Sequence, residues 1–258
     1  MPRFSANLGF LWPDRPLLER IDAAAAAGFR AIELHWPFDI PPEAVRERCV
    51  HRDLAILGLN TPTGERAGDF GLAALPGREQ DFAAAFDEAL AYAASIGAKA
   101  VHVMAGVVQA PFRDEARAVF LTNLRRVAPL AERFGVTILL EPINRRDRPD
   151  YFYDRIDEAA EIIRAVGSPV VKIMFDCYHV GITEGDVIRR LADHLPLVGH
   201  IQFAAVPDRS EPDRGDLDYQ AVFVAIDSLG YAGWVGAEYK PRGDTDSGLA
   251  WLAKSSPA

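Results

Sequence analysis

Cysteine is nearly absent from this chain: 2 in 258 residues, Cys49 and Cys177, far apart and in no CxxC pair. Two thiols make no disulfide framework, so a reducing cytoplasm is the expected compartment. Long apolar runs are missing too. No stretch approaches the roughly 18–20 residues of a membrane span. The opening MPRFSANLGFLWPDRP is cut by Pro13 and Pro16 and holds no apolar core for a signal peptide. Positive charge is in deficit, with 28 Lys and Arg against 37 Asp and Glu for a net −9. That argues against a nucleic-acid partner, which needs clustered cations facing phosphate. The 6 histidines are scattered along the chain, which together with the negative charge argues against the His-rich zinc cluster and basic face of a repair nuclease. There is no Walker loop, no GxSxG elbow, no HExxH, and no GxGxxG behind the first apolar run.

What is present is a full core composition, 49% hydrophobic and 25% charged, in strictly alternating patches. Strand-like runs fall at 4–10, 31–36, 55–61, 100–105, 137–143, 171–179, 198–204 and 233–240. Helical stretches lie near 15–27, 41–52, 78–96, 114–134, 155–166, 184–194, 218–229 and 247–254. Gly28 and Gly97 read as helix C-caps, Asp114-Glu115 opens the longest helix, and Asp218 reads as an N-cap. Eight β–α units in this length predict an α/β fold, a single (β/α)8 TIM barrel forming one domain over 1–258. A doubly wound open sheet is the runner-up. Segments 62–77 and 205–217, rich in Gly, Pro and charge, follow the third and seventh strands and so fall on the C-terminal face. Barrel enzymes keep their binding loops there.

Four apolar runs in the second half each deliver one oxygen-bearing side chain near the end: TILLE141P, KIMFD176CYH, GHIQ202F and WVGAE238YK. Alternation along a strand puts Leu139 with Glu141, Met174 with Asp176, His200 with Gln202 and Gly236 with Glu238. The opposite positions Leu140, Phe175, Ile201 and Ala237 are apolar or small and suit the helix layer. A single strand-end polar group commonly just bonds loop backbone, but four oxygen-bearing side chains in register on four successive strands argue for convergence over the barrel mouth. Three carboxylates there would repel by roughly 4 kcal/mol per pair at 4 Å and an effective dielectric of 20. A divalent cation removes that repulsion, and an all-oxygen set suits Mg²⁺ or Mn²⁺ better than Zn²⁺. Lys240 shares the face of Glu238 and offers a neutralising charge without metal, though one lysine does not balance three acids. Glu33, His35 and His102 have inward parity and read as hydrogen-bonded core groups, with Lys172 and His200 deeper. Trp12, Trp36 and Phe38 read as exposed aromatics of a pocket or subunit contact, which leaves homo-oligomerisation open.

The stretches FSANL (4–8), GLAALPGREQDF (71–82), LEPIN (140–144), DCYH (176–179), GHIQ (199–202) and GWVGAEYKP (233–241) resemble the hydroxypyruvate isomerase family of xylose isomerase-like barrels. The resemblance runs over essentially the whole chain. It implies that Glu141, Asp176, Gln202 and Glu238 hold one divalent metal ion, with Glu141 and Glu238 as the acid/base pair. It also implies a small sugar-acid substrate: hydroxypyruvate isomerised to tartronate semialdehyde (2-hydroxy-3-oxopropanoate) through an enediolate. A 2-oxo-tetronate isomerase or a ketose 3-epimerase on the same barrel is the alternative, and a non-catalytic sugar-binding protein a more distant one. On that reading His179 holds a substrate oxygen, with Arg209 and Lys240 as further substrate-binding residues. NTPTG (60–64) lacks the acid common next to that Gly, and Asp150 stands where the family often has Gly; both departures bear on substrate choice.

Overall fold

The structure is a computed structural model and describes residues 1–254. Nine parallel strands form its sheet: β1 Arg3–Asn7, β2 Ala31–Glu33, β3 Ala55–Ile56, β4 Gly58–Asn60, β5 Ala100–His102, β6 Thr137–Leu140, β7 Val171–Asp176, β8 Val198–Phe203 and β9 Trp234–Ala237. The sheet order is β3-β2-β1-β9-β8-β7-β6-β5-β4. Its two ends, β3 and β4, are one stretch of chain interrupted only at Leu57. The Leu57 N–H donates to Ile32 O at 2.9 Å, and Leu57 O accepts from Lys99 N at 3.1 Å, so this residue closes the barrel. The expected third strand is therefore divided, because it leaves one neighbour to join the other. Gly58 makes that passage, since a side chain there would begin 3.0 Å from the Ala100 carbonyl oxygen.

Helices α1 Leu17–Ala26, α2 Pro42–His51, α3 Glu79–Ile96, α4 Arg113–Phe134, α5 Ile156–Val166, α6 Cys177–Thr183, α7 Val187–His194, α8 Tyr219–Ser228, α9 Thr245–Gly248 and α10 Ala250–Lys254 surround the sheet. The expected caps are in place: Gly97 is left-handed behind α3, and the Asp218 carboxylate accepts from the N–H groups of Gln220 and Ala221 at the start of α8. Two expectations are corrected. The strand expected over 171–179 is β7 and ends at Asp176, because the Asp176 carboxylate accepts the Tyr178 N–H at 2.9 Å and starts α6. Trp12 is not an exposed aromatic; it is fully buried in the core near Phe29.

Strand parity divides the apolar residues into two clusters. Leu140, Phe175, Ile201 and Ala237 belong to the large core between sheet and helices. Ala100, Leu139 and Met174 form a separate small cluster inside the barrel. Above that cluster the barrel interior is polar and buried: Ser5, Asn7, Glu33, His102, His200 and Gln202.

Candidate active site

The C-terminal strand ends converge as parity requires. Asp176 and Gln202 are register partners on β7 and β8, and Gln202 is in turn paired with Gly236 of β9, two residues before Glu238. Glu141, the residue after β6, Asp176 and His179 bring ligand-type atoms within 4.8 Å of one another, all buried. His179 stands in the first turn of α6, three residues past Asp176. Its Nε2 lies 3.6 Å from both Glu141 Oε1 and Asp176 Oδ2. Its Nδ1 accepts from the Asn144 backbone N–H at 3.2 Å and from the Asn144 amide at 2.6 Å. A nitrogen that accepts carries no proton, so the ring hydrogen is on Nε2 and faces the carboxylates. His179 is thus built as a donor into the site.

Glu238 is held from three sides. Its Oε1 accepts from Asn7 Nδ2 and lies against His35 Nε2, each at 3.1 Å, and its Oε2 accepts from Arg209 at 2.8 Å. Asn7 can only present its amide nitrogen, because its Oδ1 accepts the Gly9 N–H at 3.0 Å. Gly9 is required for the approach of His35, since a Cβ there would fall 2.1 Å from the imidazole. Arg209, at a left-handed φ of 56°, sends its guanidinium inward to Glu238, to Asp147 at 3.2 Å and toward Asp176 at 3.8 Å. The rings of Phe10 and Tyr178 flank it at 4.9 and 5.0 Å. Lys240 does not neutralise Glu238: β9 ends at Ala237, so alternation stops before it, and Lys240 stays exposed near the Phe10 ring.

Burial and the neighbouring charges of Glu238 and Asp176 raise the Glu141 carboxyl well above the ordinary range. Burial and Glu238 raise Asp176 likewise, to about 8, against the pull of Arg209. Burial alone would raise Glu238 too, but the His35 hydrogen bond and Arg209 outweigh it and hold it at about 2. His102 and His179 are pushed down by burial, His102 to about 4, and so remain neutral. With all three carboxylates ionised, one guanidinium would leave two negative charges uncompensated in a buried site, and the upward shifts of Glu141 and Asp176 express that repulsion.

A divalent cation fits these residues. Glu141 Oε1, Asp176 Oδ2 and Gln202 Oε1 are buried oxygens with no hydrogen-bond partner. Each such orphan costs roughly 1–3 kcal/mol, more for a charged group, and a hard cation would satisfy them through the oxygen donors it prefers. Gln202 offers its oxygen because its Nε2 donates to Glu33 at 2.7 Å. The fourth expected ligand, Glu238, sits beside this trio with both oxygens already engaged.

The open side of the site is a cavity of about 490 Å³ lined by, among others, Phe10, Trp36, Phe70, Arg148, Arg209 and Lys240. Segment 62–77 lies on the C-terminal face as expected, its tip 65–68 exposed and Phe70 reaching the cavity. Gly71, at φ +112°, pairs with Ala105, and Phe70 is stacked under the Arg148 guanidinium at 3.7 Å. Of the residues singled out from sequence, the structure gathers Glu141, Asp176, Gln202, Glu238, His179 and Arg209 and leaves Lys240 at the rim. Asn7, His35, Asn144 and Asp147 were missed. Inward parity was the available signal for His35, while Asn7 and Asn144 lay inside the FSANL and LEPIN stretches without a role.

The sequence profile of the xylose isomerase-like TIM barrel family matches residues 21–255. The chain is 46% identical over 254 residues to the 2-oxo-tetronate isomerase of Cupriavidus necator, covering 98% of each. It is 35% identical over 254 residues, again 98% of each, to the hydroxypyruvate isomerase of Escherichia coli. A Brucella melitensis crystal structure described as AP endonuclease, family 2 superposes with a TM-score of 0.96 at 39% identity, covering 100% of both chains. With its strand-end carboxylates gathered on the barrel's C-terminal face, the chain belongs to the xylose isomerase-like TIM-barrel family and, within it, to the hydroxypyruvate and 2-oxo-tetronate isomerases.

Proposed function

We propose that this protein is a metal-dependent aldose–ketose isomerase that converts hydroxypyruvate to tartronate semialdehyde. The observation that carries the reading is the set of three unpartnered buried oxygens, from two carboxylates and an amide, beside a third carboxylate at the mouth of an isomerase-family barrel. Glu141, Asp176, Gln202 and Glu238 would hold one Mg²⁺ or Mn²⁺. Bound there, the ion acts as a Lewis acid that stabilises negative charge developing on substrate oxygens. The chain's own groups do the rest. One of Glu141 and Glu238 takes the proton from the carbon bearing the hydroxyl, and that C–H electron pair becomes the double bond of an enediolate. The other glutamate delivers a proton to the neighbouring carbon, while the hydroxyl proton passes to the former carbonyl oxygen, so that carbonyl and hydroxyl exchange places. Positioned acid–base steps of this kind contribute roughly 10²–10⁴-fold. His179 donates Nε2–H to a substrate oxygen. Arg209, held by Glu238 and Asp147 at the cavity wall, supplies positive charge for the substrate carboxylate, and Lys240 adds charge at the rim. We place the enzyme in the cytoplasm, where its two buried free thiols stay reduced.

A four-carbon 2-oxo-tetronate is the second reading. It is favoured by the 46% identity to the Cupriavidus necator enzyme. A nuclease reading, suggested by the description of the Brucella structure, lacks support here: the net charge is −9, and one three-residue ligand cluster occurs among the described residues. The deciding experiment assays metal-stripped protein on hydroxypyruvate and on 2-oxo-tetronates, then again with Mn²⁺ or Mg²⁺ restored. Turnover that returns with metal is expected, and its kcat/KM ranks the two substrates. Full turnover without metal would remove the ion from the mechanism.

A further inference from the structure

Beneath the carboxylates lies a second buried polar layer centred on Glu33, the last residue of β2, only 4% exposed. Ser5 Oγ donates to its Oε1 at 2.6 Å. Its Oε2 accepts from Gln202 Nε2 at 2.7 Å and from Asn7 Nδ2 at 3.5 Å, and His200 Nε2 lies 3.1 Å away. Ser5 and Asn7 come from the adjacent β1, but His200 and Gln202 stand on β8, with β1 and β9 between. Glu33 can span that gap because β9 presents Gly236 there. A Cβ on Gly236 would meet Glu33 Oε1 at 2.1 Å.

The consequence falls on Gln202. A carboxylate accepts and does not donate, so the amide must turn its nitrogen to Glu33 and its oxygen away. That oxygen is buried and has no protein partner. Packing from below does not impose the orientation, because Glu33, His200 and Gln202 line the upper end of a cavity of about 500 Å³ inside the barrel. We propose that Glu33 is a positioning residue: it locks the Gln202 amide in the one orientation in which its oxygen serves as a metal ligand. The proposal rests on the assignment of Gln202 to the ligand set. Outer groups that orient ligands in this way typically change metal affinity 10–100-fold.

The test is Mn²⁺ affinity, by calorimetry on metal-stripped protein, in Gln202→Ala, Glu33→Met, the double variant and Glu33→Gln, each checked for native circular dichroism. Glu33→Met keeps side-chain length but accepts no hydrogen bond. It should weaken Mn²⁺ binding about 10–100-fold, and no further when added to Gln202→Ala. Glu33→Gln, whose carbonyl still accepts the Gln202 N–H, should retain most of the affinity. Gly236→Ala, which pushes the Glu33 carboxylate aside from β9, should reproduce the Glu33→Met loss and serves if Glu33→Met does not fold. Parental affinity in Glu33→Met, or losses that simply add in the double variant, overturn the positioning role. Unchanged affinity in Gln202→Ala removes Gln202 from the ligand set and the proposal with it.

Discussion

Single side chains in this site are set by the hydrogen bonds they make away from it. Asn144 fixes the tautomer of His179, the Gly9 N–H fixes the amide of Asn7, and Glu33 fixes the amide of Gln202. Glu141 is the exception: its Oε1 has no partner, and its Oε2 lies 3.7 Å from His102. At this scale the first prediction concerns the proposed acid/base pair. Glu141→Gln and Glu238→Gln should each lower kcat by about 10²–10⁴-fold with circular dichroism unchanged. Near-parental turnover in either variant would exclude that residue from proton transfer. Residue types at strand ends were legible in the chain, because a carboxylate closing an apolar run stands out. The counter-charge of Glu238 was not. Alternation suggested Lys240, whereas Arg209 reaches it through a left-handed turn in a loop that no periodicity describes.

At the level of elements, Asp176 does two things at one junction. Its Oδ1 accepts the Tyr178 N–H and starts α6, while Oδ2 remains unpartnered beside Glu141 and His179. Asp176→Asn therefore separates the roles. Asn caps helices as well as Asp does, so the melting temperature should stay near the parent's, while Mn²⁺ affinity falls at least about tenfold. A large loss of helix signal instead would make the cap, not the open oxygen, the main business of Asp176. The strand and helix alternation was readable from hydrophobic period and caps. The onset of α6 was not, because CYHVG continues the apolar run of β7 and only the side-chain cap stops the strand. The loops tell a similar story. Glu211 accepts from the Arg242 backbone N–H and pairs with its guanidinium at 3.1 Å, while Arg242 also grips Asp213, tying the Arg209 loop to the segment after β9.

For the whole molecule, the buried charge balance makes stability depend on pH and metal together. A carboxyl whose folded pKa is raised binds more protons folded than unfolded, so stability falls as pH rises through that window. Asp176, raised to about 8, and Glu141, also raised, act in this direction from the ordinary carboxylate range upward. His102 and His179 act oppositely. With folded pKa depressed, to about 4 for His102, their contribution is lost as pH falls below the ordinary histidine range near 6.5. The two effects compete below about pH 6.5, and only the carboxylates remain between there and about pH 8. Metal-free protein should therefore lose melting temperature over that upper window. Saturating Mn²⁺ should raise the melting temperature and flatten its pH dependence, since ligand bound only to the native state stabilises it by mass action. A metal-free melting temperature that is flat or rising from pH 6.5 to 8 would show that the carboxylates are not raised as described.

The chain by itself determined the barrel and the chemistry of its rim. Hydrophobic period sets strand and helix, and alternation sends Leu140 and Phe175 to the helix layer and Leu139 and Met174 inward. Tertiary structure decided what is non-local. Leu57 closes the sheet between Ile32 and Lys99, and Glu33 reaches β8 only through the space left by Gly236. Arg209 meets carboxylates from three different loops and strands. Such contacts join residues far apart in sequence whose distance depends on barrel closure, and closure is a property of the whole sheet that no local pattern carries.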